Sequence, residues 1–215
     1  MVDIEKIEKR TVRSVYDDGL FEIALGFILL LLGGYFYAQA VAPEGSALAS
    51  MLSVLFVLIV VSAGFLVGRV VHFLKRRITY PRTGYVELKK KEVSPRRRAL
   101  TAVVGALIGA LAAGLYNLAP SLKVLLPALN GLVFAFVVLL IAHRIGLVRI
   151  HILAAASAVI GFAITASGLG DVKGVGLYYA LFGAALIVSG LAALVIYLRR
   201  SPKPAADGPE GPDAG

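Results

Sequence analysis

The chain has no cysteine and no tryptophan among its 215 residues, and only 16% of them are charged. Without cysteine there is no disulfide framework, no thiolate nucleophile and no thiolate ligand for zinc or haem. Without tryptophan, any aromatic belt at a membrane interface falls to the 9 tyrosines. Charge is scarce beside the usual quarter of residues, and the 59% of hydrophobic residues exceeds the roughly 45–50% of an ordinary soluble domain. Mean hydropathy is +0.85, yet the net charge is +9. A soluble fold of this length cannot bury so much apolar side chain. The basic balance is therefore not read as nucleic-acid binding, and the expected surroundings are a lipid bilayer.

Six stretches approach the roughly 20 apolar residues that an α-helix needs to cross about 30 Å of hydrocarbon. They are 20–42, 47–68, 99–118, 124–142, 152–169 and 175–198. The runs are continuous rather than alternating, which favours an all-α bundle of six transmembrane helices over a barrel. Ala38-Gln39-Ala40 resembles a signal-peptide cleavage site. The apolar run before it is too long for a signal peptide and is preceded by five acids, so 20–42 is read as a retained span.

All but two of the 22 Lys and Arg residues lie in the amino-terminal segment, the even-numbered connections or the tail; the exceptions are Lys123 and Lys173. The bias places both termini in the cytoplasm of a cell membrane. The outer connections, 43–46, 119–123 and 170–174, are short and rich in turn formers. Domain organisation is then an amphipathic cytoplasmic segment at 1–18, a transmembrane domain at 19–198 with a basic loop at 69–98, and a disordered tail at 199–215.

Helix contacts in lipid depend on small residues that let backbones approach. Gly19, Gly26 and Gly33 recur every seven residues in the first span, as do Gly176, Gly183 and Gly190 in the sixth. A seven-residue spacing keeps each series on one helix face, which suggests close contacts, including one between the two series. Gly64–Gly68 and Gly105–Gly109 are GxxxG pairs, and Ser157, Gly161 and Thr165 form a small polar stripe. These suit internal packing or a homo-oligomer equally well. The local likeness between the first and sixth spans is not the relation of an inverted repeat.

Glu22 is the one acid inside an expected span. A carboxylate there suits an ion or proton site, while Asp17-Asp18-Gly19-Leu20-Phe21-Glu22 also reads as a helix start in which acids satisfy free N–H groups. His72, His143 and His151 lie near cytoplasmic ends without metal-ligand spacing, so no metal or other cofactor is expected. No nucleophile elbow or phosphate loop is present, which argues against an enzyme. Asn117, Asn130 and Gln39 suit caps or interhelical hydrogen bonds. Pro127 falls in a first helical turn, where proline is tolerated.

The connection 69–98 carries 11 basic residues against Glu87 and Glu92, so it alone accounts for the whole net charge. At its centre Pro81-Arg82-Thr83-Gly84 suits a β-turn between Tyr80 and Tyr85. With Arg82, Lys89, Lys90, Lys91, Arg96, Arg97 and Arg98, the tyrosines form a candidate docking surface for anionic phospholipid headgroups or a membrane-protein partner.

Asp18-Gly19-Leu20-Phe21-Glu22-Ile23 and Thr79-Tyr80-Pro81-Arg82-Thr83-Gly84-Tyr85-Val86 together resemble an uncharacterised group of prokaryotic multi-pass membrane proteins. That group pairs a DGL-aromatic-acid start with a TYPR-x-GYV loop. The resemblance covers about the first hundred residues and implies a helical membrane protein without assigning an activity. The expected function is a non-enzymatic membrane subunit or scaffold. The alternative is a small transporter or channel with Glu22 near its cytoplasmic mouth.

Overall fold

The computed structural model describes residues 16–43, 45–78 and 120–200. Among these the fold is all-α, with five α-helices and one 3-10 helix. In chain order they are α1 (Leu20–Val41), α2 (Ala47–Ile78), the 3-10 helix Pro120–Leu125, α3 (Leu126–Ile145), α4 (Val148–Ala166) and α5 (Asp171–Arg200). Four stretches are long and apolar enough to cross a membrane: Leu20–Val41, Lys123–Ile145, Val148–Ala166 and Asp171–Arg200. The count of candidate spans among the described residues is thus four, not six. The expected span 99–118 lies outside the described residues. So do the amphipathic segment up to residue 15, the residues from Thr79 to Arg98 of the basic connection, and the tail from 201.

Several boundaries move from those read in the sequence. Helix α2 continues ten residues past Gly68 and carries Arg69, Lys75, Arg76 and Arg77, which the sequence reading assigns to the loop. At about 1.5 Å per residue it is some 48 Å long, well beyond the hydrocarbon thickness. The connection before α3 is, among the described residues, largely the 3-10 helix, with Pro127 in the first turn that follows. Helix α3 ends at Gly146, whose φ of 74° is the left-handed turn that glycine supplies at a helix C-terminus. Helix α4 then starts within two residues, four earlier than read, so Arg149 and His151 are helical.

The seam between α1 and α5 follows from the two glycine series, which run antiparallel and meet in register. Gly19 faces Gly190, Gly26 faces Gly183, and Gly33 faces Gly176 and Ala180. A methyl group on Gly26 would lie 2.6 Å from the Gly183 carbonyl oxygen, and one on Gly190 would lie 2.7 Å from that of Gly19. Helices α3 and α4 meet in the same manner. A methyl on Gly131 would lie 2.8 Å from the Ser157 carbonyl oxygen, and one on Gly161 would lie 2.6 Å from that of Pro127. Gly68 faces open space, so it makes no such contact. Gly105 and Gly109 lie outside the described residues.

Aromatic rings fill the space that the glycines do not. Tyr35, Phe36 and Phe56 join α1 to α2, with the Tyr35 and Phe56 rings 5.1 Å apart. Phe36 stacks on Tyr179, and Phe134 meets Tyr178, Tyr179 and Phe182. Tyr35 and Tyr178 are therefore core residues rather than members of an interfacial belt. The outer surface is apolar, with Leu31, Phe136, Leu140, Val159 and Val188 exposed. That arrangement suits a hydrocarbon surrounding and not water.

Candidate functional site

The polar groups of the bundle gather in two places. The first lies where α1 begins, level with the start of α4. The turn into α1 is made by Gly19, whose φ is 68°, and by Asp18, whose Oδ1 accepts a hydrogen bond from the Leu20 N–H at 3.3 Å. This is the helix-start role that the sequence reading gave to the acids, here carried by Asp18. Asp18 is fully buried, and its Oδ2 lies 3.2 Å from Lys75 Nζ, itself a buried group on α2.

Glu22 sits one turn further in and is 5% exposed. Its Oε2 accepts a hydrogen bond of 2.9 Å from the Ser189 hydroxyl of α5. Its Oε1 lies 3.0 Å from Arg149 Nε of α4. The two groups form a buried ion pair. Arg149 Nη1 donates to the Asp17 carbonyl at 3.3 Å, and Nη2 donates to that of Tyr16. One guanidinium therefore ties α4 to both the carboxylate and the backbone at the entry to α1. Two acids and two bases, with the Ser189 hydroxyl, join α1, α2, α4 and α5 here, and the four charges cancel.

The sequence reading found Glu22 but not its partners. Arg149 and Lys75 count in the sequence among the basic residues of the connections, Asp18 belongs to the helix start, and nothing in the sequence marks Ser189. The available signal was Glu22 itself, because an acid in a span implies a paired base within reach. Lys75 belongs to α2 and not to the docking surface. The docking residues Tyr80, Arg82, Tyr85, Lys89, Lys90, Lys91, Arg96, Arg97 and Arg98 lie outside the described residues. His72, His143 and His151 are exposed, and His151 Nδ1 lies 3.0 Å from the Leu147 carbonyl oxygen. Among the described residues no three His, Cys, Asp or Glu side chains come together as metal ligands.

The second polar group links α3, α4 and α5 inside the bundle. Ser157 donates to the Gly131 carbonyl at 2.9 Å, which leaves Tyr178 to donate its own hydroxyl to Ser157 at 2.7 Å. Tyr179 donates to Asn130 Oδ1 at 3.0 Å, and Asn130 Nδ2 donates to the Leu126 carbonyl at 2.9 Å. The Ala128 N–H, left free by the helix start, donates to Thr165 Oγ1 at 3.1 Å. Asn130 thus makes the interhelical bond expected of it. Each bond is internally matched, which suits a locking role. Tyr178→Phe is expected to cost about 0.6–1 kcal/mol in detergent unfolding, the usual worth of one interhelical hydrogen bond. A loss several times larger would show that the hydroxyl does more than join two helices.

No protein-family model, no curated protein and no solved structure matches the chain.

Proposed function

We propose that the chain is a non-enzymatic, multi-pass subunit or scaffold of a prokaryotic cytoplasmic membrane, which engages anionic lipid or a membrane-protein partner through its basic connection. The observation that supports this best is the closure of Glu22. A transport carboxylate must exchange its partner for a proton, a cation or water along a path. Glu22 instead has Arg149 on one oxygen and Ser189 on the other, in a nearly inaccessible position. The helices favour the same reading. Transport sites are commonly built at interrupted helices, whereas α1, α3, α4 and α5 each run unbroken.

Both termini inside, and six crossings with 47–68 and 99–118 added to the four candidate spans, are supported by the distribution of Lys and Arg. The transporter or channel alternative draws on one specific observation. Two acids and two bases meet at one end of the bundle, and ionisable groups within a membrane often mark a pathway.

Replacing Lys89, Lys90 and Lys91 together by Gln tests the favoured reading in the full chain. Each lysine near an anionic surface contributes about 1 kcal/mol. The variant is expected to retain at most about a tenth of the anionic phospholipid that co-purifies with the native chain, as counted by native mass spectrometry. Unchanged retention, with topology intact, contradicts the role of the loop.

A further inference from the structure

Helix α2 ends with its bases sorted by face. Spacings of three, four and seven residues put Arg69, His72, Phe73 and Arg76 on one face, with Val70 and Arg77 along its edge. All six are exposed. Lys75 turns the other way and is buried against Asp18. We propose that this outward face of α2 is a docking surface for anionic phospholipid headgroups. Arg69, Arg76 and Arg77 meet the phosphates, and Val70 and Phe73 meet the upper acyl chains.

Charge selects that occupant. No acid occurs between Glu44 and Glu87, so α2 brings nothing of its own to neutralise the face. The described acids at this end, Asp17, Asp18 and Glu22, all belong to the entry of α1, where Asp18 faces Lys75 and Glu22 faces Arg149. Those three are matched in number by Lys75, Arg149 and Arg144, which leaves the three arginines of α2 uncompensated. Among the described residues no acid pairs with Arg69, Arg76 or Arg77. Arg77 lies over the Phe73 ring at 4.9 Å, a cation–π contact that leaves its charge without a counter-ion. Guanidinium groups are well suited to phosphate.

Depth separates a lipid from a soluble partner. The Lys75–Asp18 pair holds this part of α2 level with the entry of α1, where the headgroups are expected. Arg69 lies six residues, about 9 Å, closer to the bilayer centre. A face that mixes exposed Val70 and Phe73 with arginines fits the boundary between headgroups and acyl chains.

The assignment rests on the proposed reading of α2 as a membrane crossing, and it narrows the proposed lipid binding of the basic connection to its helical part. The chain lacks tryptophan, so Phe73→Trp supplies a single fluorescent reporter on the face and keeps an aromatic ring beside Arg77. The full-length variant is reconstituted in phosphatidylcholine vesicles and titrated with phosphatidylglycerol or phosphatidylcholine brominated high on the acyl chains. Quenching is expected to favour phosphatidylglycerol by at least about fivefold, the effect of one basic residue on an anionic headgroup. Replacing Arg69, Arg76 and Arg77 together by Gln is expected to bring the ratio near one. The triple Gln variant of Lys89, Lys90 and Lys91 removes the same charge from the loop and is expected to keep the preference. Salt at about 1 M, which needs no further substitution, is expected to suppress the preference of the reporter chain.

Equal quenching by the two lipids overturns the proposal, as does a preference that withstands salt or survives loss of the three arginines. Equal losses in the two triple variants overturn it too, because diffuse charge and not this face then attracts the lipid. Quenching by neither lipid places the end of α2 outside the bilayer, so the reading of α2 as a crossing fails and the proposal with it.

Discussion

Gly26→Val is expected to lower the unfolding stability of the protein in detergent by about 3 kcal/mol or more, at the upper end of the cost of overpacking. At Gly26 the first carbon of any side chain would lie 2.6 Å from the Gly183 carbonyl oxygen and 2.7 Å from Ile187 Cγ1. The carbonyl cannot yield without breaking the helical ladder of α5, so the two helices must move apart. Separation would also weaken the contacts at Gly19–Gly190 and Gly33–Gly176, since the three pairs share one straight seam. Gly34→Ala is the matching control: nothing lies within 4 Å of the added methyl, and a change within about 0.5 kcal/mol is expected. Helicity followed by circular dichroism against rising dodecyl sulfate measures both. Equal behaviour of the two variants would place the seam elsewhere.

Lys75→Met is expected to cost about 3 kcal/mol by the same measurement, because it removes the ammonium paired with the buried Asp18 carboxylate. Asp18 is fully buried, and its ammonium partner is 3.2 Å away. Removing both charges in Lys75→Met with Asp18→Asn is expected to recover most of that loss. The amide keeps an acceptor for the Leu20 N–H, and a neutral pair needs no compensation. Arg149→Gln is expected to cost less, about 2 kcal/mol, because a quarter of its side chain is exposed and water screens the pair. If the double variant were no more stable than Lys75→Met alone, the ion pair would not be what Lys75 contributes.

The two glycine series were legible because a seven-residue spacing is a property of each segment alone, and the structure sets the two against each other. Apolar length marked α1, α3, α4 and α5 for the same reason. What the sequence hid was which way a uniformly apolar helix turns. Without a polar face, periodicity does not mark the interior. The sequence therefore assigns Tyr178 and Tyr179 to no particular face, although their rings pack with Phe134 and Phe182 inside the bundle. The ion pairs were hidden by distance along the chain. Glu22 and Arg149 come from α1 and α4, and nothing local to either one identifies the other. Their pairing also changes what the acid means. An isolated intramembrane carboxylate suggests a pathway, whereas one closed by Arg149 and Ser189 suggests a joint between helices.

That distinction is open to direct measurement in proteoliposomes. The purified chain is reconstituted with a pH-sensitive dye inside, and proton and monovalent-cation flux is followed under an imposed potential for the native chain and Glu22→Gln. If Glu22 is a structural joint, both preparations leak no faster than protein-free vesicles. A flux through the native chain that Glu22→Gln abolishes, in a variant that remains folded, would contradict that and identify Glu22 as a transport site.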